Sequence, residues 1–400
     1  MTERLYYEHS YLTEFDAVVT DCVAQDGTCR VRLNRSAFYP TSGGQPFDTG
    51  VLGGASVTNV EVIDGDVWHT LSAPLRVGET VHGVIDWARR FDHMQQHAAD
   101  HMIAGALHHL MRGVTIGLHI SADISTIDVA MPDGRTHLTP EEIETIELYV
   151  NERVQRDVPV RCWFPDKEEL KTLPLRKEPT VSEHVRVVAI GDDEMVACGG
   201  THPASAGQLG LVKILNTVPA RGLMRLSFVA GMRAFRDYRL CHAAAHQAAA
   251  LCSTAVDQLP AALQTLQERL QAAEATVAKL RREGFDQTAH MWLAETVVSP
   301  RVIMKTVSAD ANALKELASR LIAAQGVIAL LRAEGDDSTP IVFARSQDLP
   351  VDMNRILREA AKRFGGRGGG KPDFVQGVAT AQTLQEAEDL VREALYGNAL

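Results

Sequence analysis

His97 and His101 stand four residues apart in the run MQQHAADH. On a helix that spacing points both imidazoles to one side, where two neutral ring nitrogens can share a cation. The spacing is weak evidence by itself, because the chain holds 15 histidines and the pairs His93/His97 and His242/His246 repeat it. For His242 and His246, in an alanine-rich stretch, solvated or core-edge histidines are the expected reading. Cys198-Gly199-Gly200-Thr201-His202 is far more specific. A thiolate and an imidazole flank a Gly-Gly turn that lets the backbone bend sharply, so that both can reach one ion. Together the two segments point to a zinc site. HAADH lacks the glutamate of HExxH, which argues against a metalloprotease.

Two glycine-bearing segments could also carry chemistry. In FYPTSGGQP, running from Phe38 to Pro46, Gly43 and Gly44 permit close backbone approach, and the Gln45 amide could position a water, a ribose or a carbonyl. In FGGRGGGKPD, from Phe364 to Asp373, a glycine-dense loop with Arg367 and Lys371 can set backbone N–H groups and cations against phosphates. It is not a Walker loop, since Lys371 is followed by Pro372 and not by Ser or Thr.

These residues need elements to hold them. From Leu5 to about Asp86, short β-like runs (Asp16 to Val23, Thr28 to Leu33, Ala55 to Ile63, Thr80 to Val84) broken by Gly, Asp and Pro predict a small β-barrel or sandwich. Near Arg89 the apolar period turns helical, with Met94, Ala98, Met102 and Leu107 on a long helix that carries the two histidines. Runs at Thr126 to Ala130, Val158 to Trp163 and Val185 to Ile190, around a helix opened by Thr139-Pro140-Glu141, predict an α+β region ending near Phe228 to Gly231. Further on, Leu259, Leu263, Leu266, Leu270, Ala273, Val277 and Leu280 form an a/d seam. Its partner is another helix of this chain or a second chain. Strands near Val302 to Val307 and Gly326 to Leu331, with helices around Ala311 to Ile322 and Asn354 to Lys362, predict a small α/β domain at the end.

A chain of 400 residues fits two or three domains, each able to bury a core. The net charge of −11 argues against a protein that coats nucleic acid through a broad basic surface, so RNA contact must be local. Lys171 to Arg186 (Lys171, Arg176, Lys177, Arg186) is either such a patch or a solvated face, and Lys362 to Lys371 packs four cations among glycines. Six scattered cysteines and an N-terminus with neither a basic start nor an apolar core predict a reducing, cytoplasmic setting. The apolar runs fall short of the roughly 18 residues that cross a bilayer, so no membrane role is expected.

Taken in order, FYPTSGGQPFDTG, MQQHAADH, CGGTH and GGRGGGKPD resemble the long form of the alanyl-tRNA editing proteins (AlaX) over nearly the whole chain. The parts of that family are similar to the editing and C-terminal domains of alanyl-tRNA synthetase. The resemblance implies zinc ligands His97, His101, Cys198 and His202, which sets His93 aside, and an editing pocket with Thr41, Gly43, Gly44 and Gln45 as catalytic residues. It implies tRNA contacts at Arg363, Arg367, Gly368, Gly369, Gly370 and Lys371. The implied fold is α+β: an N-terminal β-barrel (1–88), a zinc-containing editing domain (89–233), a coiled-coil-like helical linker (234–296) and a small C-terminal α/β domain (297–400). The implied activity is hydrolysis of tRNA(Ala) mischarged with serine, and also with glycine, with a homodimer formed through the linker or the C-terminal domain. An ATP-binding class II module for charging tRNA is not expected, since the chain begins on the editing-type barrel. Ala98 stands where the family commonly has Thr, which bears on substrate preference, and Val378 where a further Gly is usual. No general base is assignable. Two other readings stay open: editing of another tRNA, such as a threonyl-type system, and a non-catalytic RNA-binding or assembly protein with a structural zinc.

Overall fold

A computed structural model describes residues 1–25, 28–179 and 183–397. The last three positions of the expected C-terminal domain, 398–400, lie outside the described residues. The protein is mixed α and β, and the chain divides into two compact units, Met1–Ala248 and Ala249–Leu400.

In the first unit, strands Glu14–Gln25, Thr28–Leu33, Asp66–Leu71, Ala55–Ile63, Gly50–Leu52 and Thr80–Ile85 follow one another round a closed barrel. The strict alternation of exposed and buried residues along Thr80–Ile85 is the period of a strand with one face on a core, here filled by Val31, Leu33, Val57 and Leu71. One imidazole shares that interior: His69 is fully buried between the Ser36 hydroxyl at 2.8 Å and the Val31 carbonyl at 3.1 Å. Burial pushes it down to about 4. As pH falls below about 6.5, the unfolded chain takes up a proton that the folded barrel refuses until about pH 4. Stability is therefore lost over that window, by up to about 1.4 kcal/mol per pH unit. Urea midpoints at pH 7.5 and pH 5 should show a smaller acid loss in His69→Gln than in the parent; identical losses would refute the assignment.

The helix Trp87–Met111 begins where the Asp86 carboxylate accepts from the Arg89 N–H at 3.2 Å and ends at Arg112 with φ 58°. Every residue from His93 to Leu107 is buried, so this is a central helix and not a surface one. Around it lie the helix Pro140–Gln155 and an antiparallel sheet ordered Val212–Ala220, Leu223–Ala230, Ser125–Ala130, Val114–Ile120. Several of the helix's polar side chains are paired. Gln96 exchanges two hydrogen bonds of 3.0 Å with the Ala230 backbone. The wholly buried Arg90 grips Asp48 of the barrel and donates to the carbonyls of Ser10 at 2.9 Å and Ala37 at 2.6 Å. A three-stranded sheet, Val160–Trp163, Val187–Ile190 and Glu194–Ala197, delivers Cys198 directly beyond its last strand.

In the second unit a five-stranded sheet runs in the order Arg301–Val307, Val327–Ala333, Thr339–Arg345, Phe374–Ala379, Arg367–Lys371. The expected glycine loop is thus an edge strand, all five of its residues exposed. A Cβ on Gly368 would stand 2.4 Å from the Gln376 carbonyl oxygen, and one on Gly377 2.2 Å from that of Arg367, so glycine on both strands allows the two backbones to close. The seam lies on the helix Leu259–Glu295, where Leu263, Leu266, Leu270, Val277 and Leu280 stay 49–60% exposed.

Candidate metal centre

His97 and His101 lie one turn apart on the central helix, and Cys198 and His202 on the loop that leaves the three-stranded sheet. The four offer ligand atoms that all lie within 4.8 Å of one another. Cys198 Sγ stands 3.4 Å from His97 Nε2 and 3.5 Å from His202 Nε2, and the three ring centroids are 4.6–5.1 Å apart. Tetrahedral zinc, with Zn–N of about 2.0 Å and Zn–S of about 2.3 Å, sets its donors about 3.3–3.6 Å apart, so the residues fit the ion. Burial, reinforced by the nearby Arg186 cation, pushes His97 down to about 3, and burial holds His101 and His202 well below the ordinary imidazole range. All three are in the neutral, ligating form. Burial pushes the Cys198 thiol up to about 11, so an ion entering here must displace its proton.

The barrel reaches the cluster through one tight turn. Gly43 and Gly44, at φ 57° and 85°, occupy the two central positions of a turn closed by Ser42 and Gln45. A Cβ on Gly44 would meet the Leu118 carbonyl oxygen at 2.3 Å. Thr41, Ser42 and Gly43 are exposed, but Gln45 is wholly buried. Its Oε1 accepts from His97 Nδ1 at 2.8 Å and from the Thr201 N–H at 3.2 Å, and its Nε2 donates to Thr201 Oγ1 at 2.8 Å. These three bonds all run inward, to His97 and Thr201. By accepting from Nδ1–H, Gln45 fixes the tautomer that leaves Nε2 free to ligate. The Nδ1 atoms of His101 and His202 are buried without such a partner. Gln45→Ala should weaken zinc binding by about 10- to 100-fold. Competition with a chromophoric chelator measures this, and an unchanged affinity would remove Gln45 from the metal's support.

Gly200 explains the second glycine of the loop: a Cβ there would lie 2.1 Å from His97 Cε1. Arg186 is buried and donates to the carbonyls of Cys198 at 3.0 Å and Gly200 at 2.9 Å, clamping the loop from outside. Arg176 pairs with the buried Glu194 at 2.9 Å. Two of the four cations of the 171–186 stretch are therefore structural, and only Lys171 and Lys177 are exposed. Asp100, between the two helix ligands, is pushed up to about 7 by burial. Cys198 and Ser42 line a cleft of about 380 Å3 that opens beside the cluster.

Three family models match successive parts of the chain: tRNA synthetases class II (A) at residues 3–89, the threonyl and alanyl tRNA synthetase second additional domain at 185–227, and the DHHA1 domain at 299–397. The alanyl-tRNA editing protein AlaX-L of Pyrococcus horikoshii is 30% identical over 99% of this chain and 98% of its own length. The chain belongs to the alanyl-tRNA editing protein family. Alanine–tRNA ligases of Archaeoglobus fulgidus and Haloquadratum walsbyi are 32% and 30% identical over 98% and 97% of the chain, which spans 43% of the length of each.

Within this member of the family, Ala98 is packed into the apolar core and does not line the cleft, so a hydroxyl missing there removes nothing from the cleft wall. Arg363, Arg367 and Lys371 belong to the second unit, where Arg363 pairs with Glu386 at 2.5 Å and Arg367 and Lys371 end the glycine edge strand. Sequence reasoning places Arg186 only in a local basic patch or a solvated face, and it misses Asp48. Asp48 sits inside FYPTSGGQPFDTG, and that was the one signal available for it. No described helix is long and apolar enough to cross a membrane.

Proposed function

We propose that the chain removes the wrong amino acid from tRNA(Ala) by hydrolysing its ester, with Ser-tRNA(Ala) as the main substrate and Gly-tRNA(Ala) as a second. The observation that carries this reading is the convergence of His97, His101, Cys198 and His202 beside an open cleft, in a chain matched along 99% of its length by an alanyl-tRNA editing protein. A zinc ion held by the four would supply a Lewis-acidic centre for the ester carbonyl or for water. The protein's own part is positional. Gln45 and Arg186 hold the ligating helix and loop in register, and the exposed Thr41–Gly43 edge of the turn borders the site where the ester would lie. A site that hydrogen-bonds the serine hydroxyl leaves polar groups unpaired when alanine enters, so serine over alanine is the attainable discrimination.

Arg367 and Lys371 on the exposed edge strand, with Arg363, are the proposed tRNA contacts of the second unit, and the exposed leucine seam supports pairing with a second copy. A second reading has one specific observation in its favour: the cluster offers four protein donors, the number that closes a structural zinc site. Under it, the protein binds RNA without cleaving it. Purified protein should deacylate Ser-tRNA(Ala) on the order of 100-fold faster than Ala-tRNA(Ala). Equal rates would defeat the specificity, absence of hydrolysis would favour the second reading, and faster hydrolysis of Ser-tRNA(Thr) would move the substrate to the threonyl system.

A further inference from the structure

The helix Met232–Leu251 carries another histidine pair, His242 and His246. Both are exposed, and their Nε2 atoms face one another at 3.2 Å, with ring centroids 4.3 Å apart and planes at 47°. That contact is the one hydrogen bond either ring makes among the described residues. In water an exposed bond between two side chains gains little, so a cation can replace its proton at small cost. Two nitrogens bound to one ion at about 2.0–2.1 Å stand about 2.9–3.4 Å apart, from a right-angled to a tetrahedral arrangement. The observed spacing falls inside that range. Tyr238, one turn earlier on the same face, lays its ring against His242 with centroids 5.5 Å apart, which limits the rotamers open to that imidazole. Ala243, Ala244 and Ala245 put only methyl groups between the two histidines. Among the described residues the buried cluster at His97 is the one group of three or more such donors, so the outer pair offers two ligands and leaves the ion's other positions to water.

We propose that His242 and His246 are a second metal site: an exposed two-imidazole chelate for a borderline divalent cation such as zinc or nickel, which pins one turn of the helix Met232–Leu251. Imidazole nitrogen suits both ions, and a chelate needs both rings at once. Two neutral donors in water hold an ion less firmly than four that include a thiolate, so the outer site exchanges its metal while the buried one keeps it. The bound ion ties position 242 to position 246, and the turn between them cannot open without releasing it. The site owes nothing to ester hydrolysis, and it stands whether or not the chain is a deacylase.

The full chain, its buried site loaded with zinc, is dialysed against nickel, which can be counted apart from the zinc already held. One further equivalent should bind. His242→Ala and His246→Ala should each weaken that binding by at least about 10-fold, and the double variant should lose no more than either single one, since the chelate is already broken. Zinc content should stay constant throughout, which reports that each variant is folded. Tyr238→His added to His246→Ala recreates the four-residue spacing with His242 and should restore the lost equivalent. With nickel at about 100 times its Kd, amide hydrogen exchange over residues 246–250, whose N–H groups bond back across this turn, should slow by up to about 100-fold in the parent and not in His246→Ala. Equal nickel uptake by the parent and His246→Ala would overturn the site, as would a Tyr238→His change that restores nothing. Exchange that ignores bound nickel would overturn the pinning of the turn.

Discussion

His101→Ala is expected to purify with most of its zinc lost and to deacylate Ser-tRNA(Ala) at least about 100-fold more slowly, since even an outer partner of a ligand is worth about 10- to 100-fold in affinity or activity. The expectation rests on the crowding of the site. Three imidazoles, their centroids within 5.1 Å of one another, are held neutral by burial beside a half-buried thiol. The alanine leaves a gap in the donor set that Gln45 does not fill, because its amide is committed to His97 and Thr201. Metal analysis and single-turnover deacylation on one preparation decide the matter. A folded variant that binds no zinc yet keeps full activity would show that hydrolysis does not depend on the ion. A variant that unfolds, together with an inactive parent, would make the metal structural.

The second large effect concerns stability. Asp48→Ala should destabilise the first unit by about 3–5 kcal/mol, because it strands the Arg90 guanidinium where no water reaches it. The loss also frees the Tyr39 N–H, which now donates to Asp48 at 2.6 Å, and so loosens the segment that leads into the Gly43–Gly44 turn. Replacing both partners, Asp48→Leu with Arg90→Met, should recover much of the deficit, since the cost lies in the unpaired charge more than in the missing attraction. Urea unfolding of the parent and the two variants gives the comparison. If Asp48→Ala melts at the parent's midpoint, the pair contributes nothing.

The metal site was legible because ligation restricts residue type and spacing together: only His, Cys and carboxylates qualify, and a helical pair plus a Gly-Gly loop narrows them further. Gln45 was legible as a residue and not as a role. An amide donates and accepts equally well toward substrate or protein, and only the arrival of His97 and Thr201 from 52 and 156 positions away decides between them. Arg176 and Arg186 read as a local RNA patch or a solvated face, and Arg90 and Asp48 give no signal, because charged side chains are ordinarily solvated and the sequence does not show the partners that permit their burial. The strand Arg367–Lys371 escaped for a different reason. Three glycines between two cations carry no β-forming side chain, and the pairing comes from a neighbour whose Gly377 faces Gly368.

The Gln45 amide joins a barrel turn, a central helix and a distal loop whose contributions are separated by most of the first unit. A nascent chain emerging from the ribosome therefore has no complete coordination sphere until residue 202 is out and the barrel has closed on the helix. Any metal uptake would thus be a late act of maturation, and a copy cut short before residue 202 could not complete the donor set.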